Sequence, residues 1–136
     1  MTADRGHTHA ETRLRREKIA WLTTVRRDGQ PQSSPVWFLW RAGEIVVYSK
    51  PTTQKVRNVQ TNPKVAVHLR DVDEGSDIVS IEGTAEIDES YPSAAAIPAY
   101  VTKYRAMITD INMDPDSFAK SYSVPVRIRP TKIRVE

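Results

Sequence analysis

The chain has no cysteine in 136 residues. That excludes disulfides, thiolate metal sites and a thiol nucleophile, and it suits a reducing compartment. No apolar run approaches the ~20 residues that a membrane span requires. The opening Met1-Thr2-Ala3-Asp4-Arg5-Gly6-His7-Thr8-His9 is polar and lacks the apolar stretch of a signal peptide. A soluble, cytoplasmic protein is therefore expected. A large charge excess is also lacking. Twenty basic against 17 acidic side chains leave a net +3, too mild to argue for nucleic acid but favourable to small anionic ligands. There is no G-x-G-x-x-G, no P-loop, no G-x-S-x-G and no H-E-x-x-H.

What is present reads as mainly β. Residues 1–10 are expected to be a disordered arm, and residues 11–136 a single domain, with a short helix over 10–18. Residues 19–26 are β-branched and aromatic. Asp28-Gly29 predicts a type I′ hairpin, with a partner strand over 32–40. Ala42-Gly43 turns the chain into a strand over 44–49. Val56 and Val59 then set a helical spacing over 52–60, with Thr52 or Thr53 as N-cap and Asn62-Pro63 as its end.

Residues 64–70 alternate, with Val65, Val67 and Leu69 inward. A strand over 77–87 carries Gly83, which marks a bulge or a close backbone approach. Pro98 and Asp114-Pro115 start two helices. The first carries Val101, Tyr104, Ile108 and Ile111 as one apolar stripe. In the last strand, 124–135, apolar parity shifts near Pro130, which predicts a bulge or bend. Six short antiparallel strands with short peripheral helices predict a closed or partly closed barrel.

Side-chain chemistry is sparse. His7 and His9 fall in the arm. His68 shares a strand face with Lys64 and Arg70, which suits solvent. Asp71, Asp73 and Glu74 crowd one loop without the spacing of a cation site, so no metal is expected. The concentrated signal is Ser49-Lys50-Pro51-Thr52-Thr53-Gln54-Lys55-Val56-Arg57. A strand ends there and a helix begins, and the first helical turn offers N–H groups and a positive dipole end. With the hydroxyls of Ser49, Thr52 and Thr53 and the charges of Lys50, Lys55 and Arg57, this suits a phosphate or a polyanionic tail. Taken alone, a capped helix with solvated lysines explains it as well. The neighbouring Ser34-Pro35-Val36-Trp37-Phe38-Leu39-Trp40 shifts that balance. It is apolar on both faces, so it needs a helix, a second subunit or a planar ligand against it. With so few reactive side chains, an enzyme of this composition takes its reactive atom from a cofactor.

These segments resemble the pyridoxamine 5'-phosphate oxidase-like split β-barrel superfamily, and within it the actinobacterial branch of F420-dependent reductases. The carrying stretches are Ala20-Trp21-Leu22-Thr23-Thr24-Val25, Asp28-Gly29-Gln30-Pro31, Ser34-Pro35-Val36-Trp37-Phe38, Val47-Tyr48-Ser49-Lys50 and Lys55-Val56-Arg57-Asn58. Asn62-Pro63-Lys64-Val65-Ala66-Val67 and Ile81-Glu82-Gly83-Thr84-Ala85 continue the match. The resemblance implies a six-stranded split barrel of the flavin mononucleotide (FMN)-binding type. It also implies a homodimer with cofactor at the subunit interface.

By the same resemblance, Thr53, Gln54 and Lys55 grip a cofactor phosphate, with Ser49, Lys50 and Arg57 beside them. Ser34, Pro35, Val36, Trp37 and Phe38 flank the ring. The family often has Ser-Arg-Lys at the phosphate. Gln54 in place of arginine removes one positive charge, which leans the implied cofactor toward coenzyme F420, a deazaflavin, with FMN as the alternative. The Arg-x-His that pyridoxal-making members carry near the C-terminus is missing from Lys132-Ile133-Arg134-Val135-Glu136. The implied activity is hydride transfer from reduced coenzyme F420 to a conjugated small molecule. An FMN oxidase or reductase and a non-catalytic cofactor-binding protein are the alternatives.

Overall fold

A computed structural model describes residues 2–71, 75 and 77–136, with side chains from Thr8 onward. Asp73 and Glu74 of the acidic loop, and the side chain of His7, lie outside the described residues. Seven strands make one antiparallel sheet: β1 (Ala20–Val25), β2 (Pro31–Val36), β3 (Leu39–Arg41), β4 (Glu44–Ser49), β5 (Lys64–Leu69), β6 (Val79–Ile87) and β7 (Val124–Val135). Their order is β2-β1-β5-β6-β7-β4-β3. Strands β2 and β3 thus lie at opposite ends of the sheet, yet only Trp37 and Phe38 separate them in sequence. So short a link spans about 11 Å fully extended. The sheet must therefore curl until its ends meet, which gives the expected barrel.

The strand count is seven, not six, because the strand expected over 32–40 breaks at Trp37-Phe38. The break has a physical cause. Phe38 N–H has no ladder partner and donates instead to Tyr104 Oη at 2.8 Å. Its carbonyl accepts from Lys103 Nζ at 2.8 Å. Side chains from a helix replace a neighbouring strand.

The turns also differ from expectation. Only Gly29 has positive φ, at 91°, in the first hairpin. Its N–H donates to Arg26 O at 2.8 Å, and Arg26 N–H donates to Gln30 O at 2.8 Å. This is a three-residue loop ending in a left-handed glycine, not a type I′ turn. The type I′ geometry belongs to Ala42 (φ 53°) and Gly43 (φ 75°), which join β3 to β4.

The N-terminal helix α1 (Thr2–Arg16) begins well before the expected start and takes in residues 2–10 of the expected arm. Its seat explains this. Ala10 and Leu14 are fully buried in the barrel core. Buried Arg13 donates to the carbonyls of Asp77 and Arg70, each at 2.6 Å. Helix α2 (Gln54–Thr61) follows β4 and buries Val56, Asn58 and Val59. The Asn58 amide donates to Thr24 Oγ1 at 2.9 Å and to Gln32 Oε1 at 3.0 Å, which satisfies a buried polar group.

Helices α3 (Pro98–Asp110) and α4 (Pro115–Ser121) form an insert between β6 and β7. Asp114 caps α4 through a reciprocal pair of hydrogen bonds with Ser117. The insert buries Tyr100, Tyr104, Ile108 and Phe118 against Leu39, Val46 and Tyr48, outside the barrel. Strand β4 is thus covered on both faces: Ile45 and Val47 face the barrel interior while Val46 and Tyr48 meet the insert. The expected irregularity in β7 is present as a register shift between Glu82 and Gly83, opposite Pro130 to Lys132. A Cβ on Gly83 would stand 2.6 Å from Arg129 O, so close backbone approach fixes that glycine.

Candidate functional site

The end of β2, the end of β4 and the start of α2 converge on a cavity of ≈ 400 Å³. Pro35, Val36 and Trp37 form one wall. Ser49, Lys50, Thr53 and Lys55 form the polar end. The insert adds Ile111, Phe118 and Tyr122 to the lining, and Tyr48 completes it.

At the polar end, Ser49 is buried, and its hydroxyl pairs with Thr53 Oγ1 at 2.8 Å. Thr53 is the N-cap of α2, as expected, but its side chain makes no capping hydrogen bond. It turns to Ser49 and to Lys50 O, at 3.3 Å, so the first helical turn has no side-chain acceptor from its own cap. Lys55 is half-buried and has no hydrogen bond or ion pair among the described residues. Burial holds its ammonium below the ordinary lysine pKa. An anion beside it would relieve that cost. Lys50 is exposed, with its ammonium 5.4 Å from the centroid of the Tyr122 ring. This end holds two ammonium groups and two hydroxyls and no carboxylate, which suits a phosphate or carboxylate.

The other end is aromatic. Trp37 stacks on Tyr104 at 4.9 Å and 3° between planes, and on Phe118 at 5.3 Å and 11°. Phe118 stacks in turn on Tyr122 at 4.5 Å. A flat wall of rings and a cationic end in one cavity fit a planar cofactor with an anionic tail. Tyr48 donates to Pro92 O at 2.6 Å, and burial raises its phenol far above the ordinary range, so it stays protonated.

Seven of the expected residues therefore meet in the cavity: Pro35, Val36, Trp37, Ser49, Lys50, Thr53 and Lys55. Four do not line it. Phe38 is fully buried in the barrel core. Ser34 pairs with Leu22 on β1 and shares the parity of Val36. Gln54 and Arg57 are tied to each other at 2.7 Å, and Arg57 also donates to Thr52 O at 2.7 Å. That pair braces the loop before α2.

Sequence reasoning missed the contribution of the insert. Ile111 was expected in the buried stripe of α3, but it lies past the helix end, is 43% exposed and borders the cavity. The aromatic run Tyr100, Tyr104, Phe118 and Tyr122 was the available signal. His68 lies elsewhere, exposed and stacked with Trp21 at 6.5 Å. Among the described residues no group of His, Asp and Glu is placed to hold a metal, and no helix is long and apolar enough to cross a membrane.

The family model described as pyridoxamine 5'-phosphate oxidase matches residues 7–135. The chain belongs to this family. Among solved structures, a protein described as an F420 reductase is 27% identical, with TM-score 0.68 over 91% of this chain and 94% of that one. A conserved hypothetical protein of Mycobacterium tuberculosis, Rv2991, is 26% identical, with TM-score 0.75 over 95% and 82%. The heme storage protein HutZ of Vibrio cholerae is 18% identical, with TM-score 0.64 over 92% and 91%, and shares the fold. A search of curated proteins finds no match. Proteins described as an F420 reductase and as a heme storage protein thus share this fold.

Proposed function

We propose that the chain is a coenzyme F420-dependent oxidoreductase that reduces a conjugated small molecule, with its cofactor in the cavity between β2, α2 and the insert. The observation that carries this reading is the joining of an aromatic wall, Trp37 and Phe118, to a half-buried, unpaired Lys55 in one cavity. Likeness to the F420 reductase over most of both chains supports it. When bound, the deazaflavin supplies the hydride.

The chain's own residues bind, orient and shield. Lys55 and Lys50 take the anionic end, with the Ser49 and Thr53 hydroxyls beside them. Pro35, Val36 and Trp37 hold the ring plane. Phe118 extends that wall through its stack on Trp37, and Ile111 excludes water from the cavity. A homodimer belongs to the same proposal, and sedimentation should return twice the mass of one chain.

FMN is the second reading, favoured by membership of a flavin-type family. A side-by-side fluorescence titration with coenzyme F420 and FMN separates the two. Tighter binding of the deazaflavin is expected. A purified protein that is yellow and prefers FMN transfers the proposal to flavin chemistry, and failure to bind either removes the cofactor reading.

A further inference from the structure

Trp37 walls the cavity, yet it sits in the two-residue break between β2 and β3. Two groups of α3 hold that stretch in place of a strand. Tyr104 Oη lies 2.8 Å from Phe38 N, 2.9 Å from Phe38 O and 2.8 Å from Lys18 O. Lys103 Nζ lies 2.8 Å from Phe38 O. A phenol has one proton, so it can satisfy only one carbonyl at a time. The self-consistent set gives that proton to Lys18 O, the Phe38 N–H to Tyr104 Oη, and a Lys103 proton to Phe38 O. Every polar group is then paired. The ring of the same Tyr104 lies flat against Trp37, at 3°. Tyr104 therefore fixes both the backbone that carries Trp37 and the indole itself, although it does not line the cavity.

We infer that Tyr104, assisted by Lys103, is a positioning residue for the ligand site. It holds Trp37 as the flat wall against which the planar ligand rests. The inference depends on the cofactor reading for its consequence in binding, but not for the placement of Trp37. Loss of the hydroxyl frees the Phe38 peptide, and Trp37 then samples more than one orientation. The ligand must select one of these, which lowers its affinity.

The test uses the whole protein labelled with 5-fluorotryptophan. The Trp37 fluorine resonance is assigned by its loss in Trp37→Phe. In Tyr104→Phe, which keeps the stacked ring, that resonance should broaden or split while those of Trp21 and Trp40 stay in place. Affinity for whichever of coenzyme F420 or FMN the parent binds should fall about tenfold. Ile108→Val is the control, because Ile108 is buried on the same helix and its side chain has no polar atom to bond the Phe38 peptide. It should leave the resonance and the affinity unchanged at a comparable loss of stability. Lys103→Met removes one donor to Phe38 O and should shift the Trp37 resonance in the same direction by less. It decides the matter if Tyr104→Phe does not fold. An unmoved Trp37 resonance in the folded variants, or equal broadening in Ile108→Val, overturns the inference. If the parent binds neither cofactor, the proposed function fails while the resonances still judge the clamp.

Discussion

At the scale of single residues, two lysines carry opposite consequences of burial. The Lys55 ammonium borders the cavity with no partner among the described residues, and an anion there would gain a charge-assisted bond worth about 1.5–3 kcal/mol. Lys55→Ala should weaken cofactor binding roughly 10- to 100-fold with the melting temperature nearly unchanged, as read by fluorescence titration beside a thermal scan. Because burial lowers its pKa, affinity should fall on alkaline titration earlier than an ordinary lysine would dictate. Lys103 has a different effect. Burial, reinforced by the nearby Lys18 ammonium, pushes it down to about 8. The unfolded chain keeps that proton up to a pKa of about 10.4. Between those values the unfolded state binds more protons, so rising pH stabilises the fold. The stability of the parent relative to Lys103→Met should increase by on the order of 1 kcal/mol between neutral and alkaline pH. A constant difference in urea melts would show that Lys103 is not depressed.

At the scale of elements, most of the chain was legible because local rules and tertiary packing agree. Thr53 begins α2, Asp114 begins α4, and Val65, Val67 and Leu69 face the core as their alternation requires. Legibility failed where tertiary contacts set the backbone. Nothing local in Trp37-Phe38 says that a strand stops there, since the partners that end it are sixty-odd residues away on α3. The first hairpin went astray because Asp28-Gly29 suits two loop types, and only the register of Val25 with Pro31 selects one. The second hairpin holds a correctable strain. Ala42 has φ 53°, a conformation that costs an L-residue with a Cβ about 1 kcal/mol. Ala42→Asn should raise stability by about 0.5–1 kcal/mol, measured by urea denaturation. Gly83→Ala should do the reverse and more, because its Cβ meets the Arg129 backbone and not a movable side chain.

For the whole molecule, the barrel class could be read from strand spacing, but the shape of the site could not. The cavity needs the insert, and its helices reach the β2 end only because the sheet curls to bring β2 and β3 together. A ligand that bridges these parts should stabilise all of them at once. At a hundredfold excess over its Kd, coenzyme F420 should add about 2.7 kcal/mol, seen as a raised melting temperature, and at the same concentration the gain should fall to roughly 0.4–1.4 kcal/mol in Lys55→Ala. Strand β7 has another consequence, which concerns time. In the sheet it sits between β6 and β4, although it is the last strand to be made. A nascent chain that has emerged as far as α4 therefore presents two raw strand edges at once, and the barrel closes in a single late event when β7 slots between them.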